Sequence, residues 1–123
     1  MSKSGRETVS FITVESGKDL IVAYAIAADI SGKIVSLILQ RTPMYEHLLP
    51  PGDRGVTVSH EAFPEDDPDL LKRVVFDGTD VDIETTRRVY RIDVSAADPE
   101  EAMDAQTVLR QMHSHGGFEY HVR

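Results

Sequence analysis

The stretch DPEEAMDAQTVLRQMHS, residues 98–114, has the pattern of an amphipathic helix and decides the fold. Asp98 suits the N-cap, Pro99 suits the first helical position, and Glu101 completes a capping-box pattern three residues after the cap. The apolar residues recur at helical spacing on one side: Ala102, Ala105, Val108, Leu109 and Met112. We therefore predict one helix, from about Pro99 to Ser114, that packs this side against another layer.

The chain before the helix has the pattern of strands. Residues 8–15, 20–29 and 34–41 are strand-like, and the short glycine-containing connections between them favour a three-stranded meander. In the second of these strands the large side chains point to one face and three alanines, Ala23, Ala25 and Ala27, point to the other. We expect the helix to pack on the alanine face, because small side chains allow close approach.

The rest of the chain adds further strands. Residues 56–60 predict a short strand, residues 71–76 and 81 onward predict a hairpin about Asp77-Gly78, and residues 118–122 predict a last strand. Val81 and Ile83 are apolar at odd positions but Tyr90 and Ile92 at even ones, so a bulge or turn is expected near Thr85. The prediction is a single α+β domain over residues 1–123, with a mainly antiparallel β-sheet and one C-terminal amphipathic helix followed by a short strand.

Composition favours some classes of partner over others. The chain of 123 residues has no cysteine and carries 21 acidic against 13 basic residues, a net charge of −8. This charge repels phosphate backbones and suits a basic protein partner. The longest apolar run has nine residues, residues 20–28, where a membrane-spanning helix needs about 20. We expect a cytoplasmic protein with no nucleic-acid partner, no membrane partner and no cofactor.

Two loops are candidates for binding another protein. Residues 63–69 are polar and are expected to form an exposed acidic loop whose charges steer a basic partner: Glu65, Asp66, Asp67 and Asp69. The proline-rich loop after Arg41 carries Tyr45 with Leu48 and Leu49, which form either a contact site or a lid on the core. We predict that Tyr45 and the four acidic residues belong to a partner-binding surface.

The C-terminal histidines support an alternative. His113, His115 and His121 lie within nine residues and could supply imidazole ligands to zinc, as in a metal-binding domain or a metal-assisted hydrolase. However, positions i and i+2 on a helix diverge by about 200°, so His113 and His115 converge only if the helix ends between them. The sequence has no cysteine nucleophile and no Gly-x-Ser-x-Gly motif, and we predict no catalytic residue.

Several segments occur in an order that resembles a known group of proteins: Leu37-Ile38-Leu39-Gln40-Arg41, Gly55-Val56-Thr57-Val58, Val81-Asp82-Ile83-Glu84 and the acid-capped C-terminal helix. Over residues 37–112 the chain is similar to small, strand-rich immunity proteins of bacterial polymorphic toxin systems. The resemblance implies a cytoplasmic, non-enzymatic protein that binds and neutralises a toxin. The strand after the helix and the proline-rich loop depart from that pattern.

The sequence thus supports three hypotheses of different classes. The first is a non-enzymatic protein-binding domain, with a homodimer formed by edge-strand pairing as one arrangement. The second is the metal site at the C-terminal histidines. The third is a small-ligand-binding domain, which would require an apolar pocket under the sheet.

Overall fold

The computed structural model describes residues 5–27, 33–63 and 69–123, and these contain eight strands, one α-helix and two short 3₁₀ helices. The strands are β1 Glu7–Ser16, β2 Leu20–Ala27, β3 Ile34–Arg41, β4 Thr57–His60, β5 Asp69–Asp77, β6 Asp80–Thr85, β7 Val89–Asp93 and β8 Glu119–Val122. The 3₁₀ helices are Pro43–Leu48 and Pro51–Asp53, and the helix α1 is Pro99–His113. The predicted α+β class is confirmed, as is the final order of helix and strand.

The strands form one sheet in the order β4-β3-β2-β1-β7-β6-β5-β8, and most neighbours are antiparallel. The first two residues of β5 also pair with β4, so seven of the described strands close into a ring. β8 pairs in parallel with the later residues of β5, and β1 pairs in parallel with β7. The two parallel pairings join segments far apart in the chain, and local patterns do not predict them.

The ring is incomplete between β1 and β7, and α1 fills the gap. β1 pairs with β7 only at Glu7 and Thr8, and beyond them α1 packs against β1 and β2. The Glu101 carboxylate accepts a hydrogen bond of 3.0 Å from the backbone N–H of Ile12, so the helix satisfies a donor on the strand edge. Asp98 caps α1 as predicted by accepting from the Glu100 N–H at 2.8 Å. The capping-box role predicted for Glu101 is replaced by this contact with β1.

The face of β2 on which the helix packs differs from the prediction. The large side chains of β2 are buried in the same core as the apolar side of α1, whereas Ala23 and Ala27 are half-exposed on the opposite face. The prediction that α1 packs on the alanine face is therefore wrong. The alanines instead limit how much apolar surface the outer side of the sheet presents to water.

The apolar side of α1 and the break between β6 and β7 follow the sequence patterns. Ala105, Val108, Leu109 and Met112 are buried. The chain turns after Thr85, whose N–H donates to the Arg88 carbonyl at 2.8 Å, and this turn changes the register as expected.

No helix in the described part of the chain combines the length and the apolar character needed to cross a membrane.

Candidate protein-contact site

The proline-rich loop after β3 forms a short helix that leaves its apolar side chains in solvent. The 3₁₀ helix Pro43–Leu48 has no buried residue, and its exposed large side chains are Met44 at 56%, Tyr45 at 45% and Leu48 at 70%, followed by Leu49 at 45%. We call residues 43–49 the contact segment. Of the two sequence-based alternatives for Tyr45, the exposure agrees with a contact site and not with a lid on the core.

A buried arginine holds the contact segment to the core. The Arg41 side chain is 3% exposed, and its Nε lies 2.5 Å from Oε1 of Glu46, which belongs to the contact segment. The same guanidinium donates to the Met112 carbonyl at 2.8 Å, to the Gly116 carbonyl at 2.5 Å and to the His115 carbonyl at 3.1 Å. These carbonyls lie at the C-terminal end of α1, where the helix dipole favours a cation. Arg41 therefore ties the contact segment to the helix.

Further hydrogen bonds fix the segment at both ends. Thr42 donates its hydroxyl to Oδ1 of Asp19 at 2.6 Å just before the segment begins. Arg54 donates to the Leu49 carbonyl at 3.0 Å and to the His47 carbonyl at 3.3 Å. Side-chain hydrogen bonds thus hold the chain just before the contact segment and two carbonyls within it, which restricts the conformations open to the segment.

A groove of about 460 Å³ runs beside the contact segment. Tyr45, Leu48 and Leu49 form its apolar side, and Asp53 contributes a carboxylate. The ammonium of Lys18 lies 5.3 Å from the centre of the Tyr45 ring, a cation–π contact that helps orient the ring. The groove can accept an apolar side chain of a partner and place a positive group near Asp53.

Of the four acidic residues predicted to bind a partner, the structure describes Asp69 alone. Glu65, Asp66 and Asp67 lie outside the described residues. Asp69 is the first residue of β5 and is 5% exposed, and one oxygen of its carboxylate accepts a hydrogen bond from the Thr85 hydroxyl. The expectation that Asp69 lies in an exposed loop is wrong, because the β4–β5 pairing draws it into the sheet.

The C-terminal histidines make separate contacts. The His113 ring stacks on Tyr120 with centroids 5.5 Å apart, whereas Nε2 of His121 lies 3.1 Å from Oε1 of Glu119. His115 follows the helix and its carbonyl binds Arg41. In the part of the chain that the structure covers, no three or more His, Cys, Asp or Glu side chains are grouped to hold a metal ion. The three imidazoles are not brought together as a ligand set.

A different histidine is buried, and sequence reasoning missed it. His60 is 5% exposed, its ring stacks on Tyr90 at 5.5 Å between centroids, and its Nδ1 accepts from the Ala62 N–H at 3.0 Å. Burial is the main cause of its lowered pKa; Glu7 and Glu61 oppose this effect and Arg88 adds to it. The imidazole packs between the rings of Phe63 and Tyr90 and does not line the groove.

Strand register is the signal that could have identified these buried polar residues. Leu37, Leu39 and Arg41 alternate toward the buried face of β3, and His60 pairs with Leu37 on the neighbouring strand. A charged or titratable residue in a buried register needs a partner, which is a reason to look for one.

Comparison of the chain with protein-family models, with curated proteins and with solved structures finds no match.

Proposed function

We propose that the protein is a non-enzymatic protein-binding domain whose contact surface is the contact segment. The observation that carries the proposal is the exposure of Met44, Tyr45 and Leu48 on a helix that buries none of its residues, and of Leu49 just after it. Large apolar side chains in solvent contribute nothing to the core. Clustered at one site, they are typical of a surface that another protein covers.

The anchoring of the segment supports the same proposal. A flexible apolar loop would lose conformational entropy on binding, whereas the ion pair from Arg41 to Glu46 and the bonds from Arg54 hold this one in place beforehand. Tyr45 is also of a residue type enriched among the side chains that contribute most to binding.

Charge selects the kind of partner. The chain has a net charge of −8, and Asp53 lines the groove next to the apolar side chains. We propose a protein partner with one apolar side chain that enters the groove, flanked by lysine or arginine residues. Long-range attraction between a basic partner and this acidic chain would speed their association at low salt.

The resemblance to immunity proteins extends this proposal to a specific partner class. If the partner is a toxin, binding at the contact segment would neutralise it, and the absence of cysteine suits action in the reducing cytoplasm.

A homodimer is a separate arrangement: β8 pairs with β5 and with no other described strand, which leaves its outer edge for a second copy. Sedimentation equilibrium tests that arrangement directly.

The test uses substitutions in the contact segment and a matched control elsewhere. The double variant Tyr45→Ser and Leu48→Ser removes two exposed apolar side chains, and Val89→Ser removes one that is 58% exposed on β7. We expect a partner captured by the wild-type chain to bind Val89→Ser equally well. We expect it to bind the double variant at least about 30-fold more weakly, the loss that corresponds to one strong contact of about 2 kcal/mol.

Capture is followed by measurement of affinity with the purified partner at low and high salt. Equal affinity for the wild-type chain and the double variant would contradict the proposal, as would an affinity that rises with salt. For the toxin class, co-expression of the chain should restore growth of cells that produce the partner. Growth should fail with the double variant and return with Val89→Ser.

A further inference from the structure

A second apolar region lies at the opposite end of α1, where β7 ends and the helix begins. A cavity of about 250 Å³ opens there beneath the first turns of α1. Its floor consists of buried side chains from four parts of the chain: Ile12, Tyr24, Phe76, Val81, Val94 and Ala97. Its rim is exposed and includes Thr79, Ser95 and Met103. We call it the helix-side cavity.

The walls of this cavity are held by backbone hydrogen bonds. The Val94 N–H donates to the Thr79 carbonyl at 2.9 Å, which joins the β5–β6 hairpin turn to the segment that enters α1. In that turn Gly78 has φ of +60°, a conformation that residues with a side chain rarely adopt. Backbone hydrogen bonding therefore joins two of the segments that line the cavity.

One residue of the floor, Tyr24, has a buried polar atom without a partner in the described part of the chain. Tyr24 is 1% exposed, and its hydroxyl has no hydrogen-bond partner among the described residues. A buried hydroxyl left unpaired costs about 1–3 kcal/mol, so a phenylalanine would suit this position better if packing alone mattered. Burial raises the pKa of Tyr24, and the nearby Tyr120 raises it further, so the phenol stays protonated and can donate.

Size and charge limit what can bind. A cavity of about 150 Å³ already accepts benzene, and pockets for drug-sized ligands begin at about 300 Å³. None of the described residues that line this cavity is charged at neutral pH. The fitting molecule is therefore small and uncharged, with an apolar body of one or two rings.

We propose that the helix-side cavity binds a small, neutral, largely apolar molecule through one hydrogen bond, donated by the Tyr24 hydroxyl to a carbonyl or ether oxygen of that ligand. This site is independent of the contact segment and does not require the proposed protein partner. The hydrogen bond positions the ligand and the apolar floor supplies most of the binding free energy.

The test uses two related fluorescent probes. Prodan is a neutral naphthalene with one carbonyl, and dimethylaminonaphthalene has the same rings without the carbonyl. Binding is followed by the fluorescence change on titration with the full chain. We expect Tyr24→Phe to weaken prodan binding about three- to tenfold, the value of one hydrogen bond, and to change binding of the carbonyl-free probe less than about twofold.

Matched variants locate the probe. Ala102→Leu places a larger side chain in the cavity and should weaken both probes at least about tenfold, whereas Asp104→Leu adds a leucine on the exposed side of the same helix and should not. Tyr90→Phe alters a buried tyrosine that does not line the cavity and should leave both affinities unchanged. Thermal unfolding of each variant confirms that it folds.

Three results would overturn the inference: no binding of prodan to the wild-type chain, equal binding to Ala102→Leu, or equal weakening of both probes by Tyr24→Phe. If Ala102→Leu does not fold, methyl NMR shifts of the wild-type chain decide. Prodan should then perturb Ile12, Val81 and Val94, and shifts confined to Leu48 and Leu49 would place the probe on the contact segment instead. The double variant Tyr45→Ser and Leu48→Ser should bind prodan normally, so failure of one proposal leaves the other open to its own test.

Discussion

The contact segment and the helix-side cavity are both apolar, yet they expose their side chains in opposite ways. The contact segment projects Tyr45 and Leu48 into solvent on a helix with no buried residue. The helix-side cavity has Tyr24 and Phe76 buried in its floor beneath an exposed rim. Apolar side chains that project into solvent beside an open groove suit a macromolecular partner, whereas a cavity with a floor of buried side chains can surround a small molecule. The same residue types therefore indicate different kinds of ligand.

The two regions are connected through α1. Pro99, Ala102 and Met103 at the N-terminal end line the cavity, and the carbonyls at the C-terminal end bind Arg41, which holds the contact segment. Substitutions at buried and at exposed positions, compared by their effect on the free energy of unfolding, test whether the contact segment and the cavity are as different as their burial suggests.

The largest effect is expected from Arg41→Ala. The substitution removes the partner of Glu46 and the side-chain donor to three carbonyls at the end of α1, of which the Met112 carbonyl keeps the His115 N–H at 3.2 Å. Breaking a buried ion pair on one side costs about 3–5 kcal/mol, and we expect the free energy of unfolding in urea to fall by that amount. Limited proteolysis should also cut the contact segment faster, since Arg41 anchors it.

Arg54→Ala is the control for Arg41. Arg54 is exposed and its two hydrogen bonds to carbonyls of the contact segment are in solvent, so its loss should change the free energy of unfolding by no more than about 0.5 kcal/mol. A loss below about 1 kcal/mol for Arg41→Ala would mean that water replaces its bonds and that the anchor is weaker than the burial of its side chain implies.

An intermediate effect is expected when the same substitution is made in the core and in the contact segment. Leu109 is fully buried on α1 and Leu48 is 70% exposed. Leu109→Ala should lower the free energy of unfolding by about 2–5 kcal/mol, because it removes buried methyl groups and leaves a cavity. Leu48→Ala should change it by less than about 0.5 kcal/mol.

Chemical denaturation of both alanine variants measures the difference. A substantial loss of stability from Leu48→Ala would show that the contact segment folds over the core in solution, as a lid would. That result would remove the main support for a partner-binding role. Similar losses at the two positions would erase the contrast between the regions.

Much of the architecture follows from local patterns in the sequence. The spacing of Ala105, Val108, Leu109 and Met112 predicts α1 and its buried side, and Asp98 caps the helix as its residue type suggests. The glycine in the turn Asp77-Gly78 marks the hairpin between β5 and β6. These signals are local, because they depend on hydrogen bonds and side-chain spacing within a few residues.

The remainder depends on which strands pair with one another. Ring closure brings Asp69 beside Val58 and buries it, which reverses the exposure expected from its acidic neighbours. The gap between β1 and β7 places α1 on the large side chains of β2, so the alanine pattern misled the packing prediction. Long-range pairing is not encoded in the period of a single strand, which specifies faces but not neighbours.

The candidate sites divide in the same way. Tyr45 could be proposed from an apolar cluster in a proline-rich loop, whereas the role of Arg41 required knowledge of where α1 ends. Tyr24 looks like an ordinary core residue in the sequence. Two observations distinguish it from a phenylalanine: Tyr24 lines a cavity, and its hydroxyl has no hydrogen-bond partner among the described residues.

The smallest effect concerns the pH dependence of stability at His60, which belongs to neither apolar region. Its pKa in the folded chain is lowered from 6.5, mainly by burial. The unfolded chain therefore binds a proton more readily. Above about pH 6.5, protonation of His60 should not change the free energy of unfolding. As the pH drops from there toward the lowered pKa, the free energy of unfolding should fall. His60→Asn keeps an oxygen that can accept from the Ala62 N–H but removes the titration, so the slope should disappear.

Urea unfolding of the wild-type chain, His60→Asn and His47→Asn at about pH 7.5 and about pH 5.5 measures this slope. His47 is exposed in the contact segment, so His47→Asn should retain the wild-type dependence. An unchanged slope in His60→Asn would assign the dependence to another group, and a wild-type stability that rises with acid would reverse the inferred sign. Because His60 lies in the core between aromatic rings, we expect His60→Asn to leave prodan binding and partner binding unchanged.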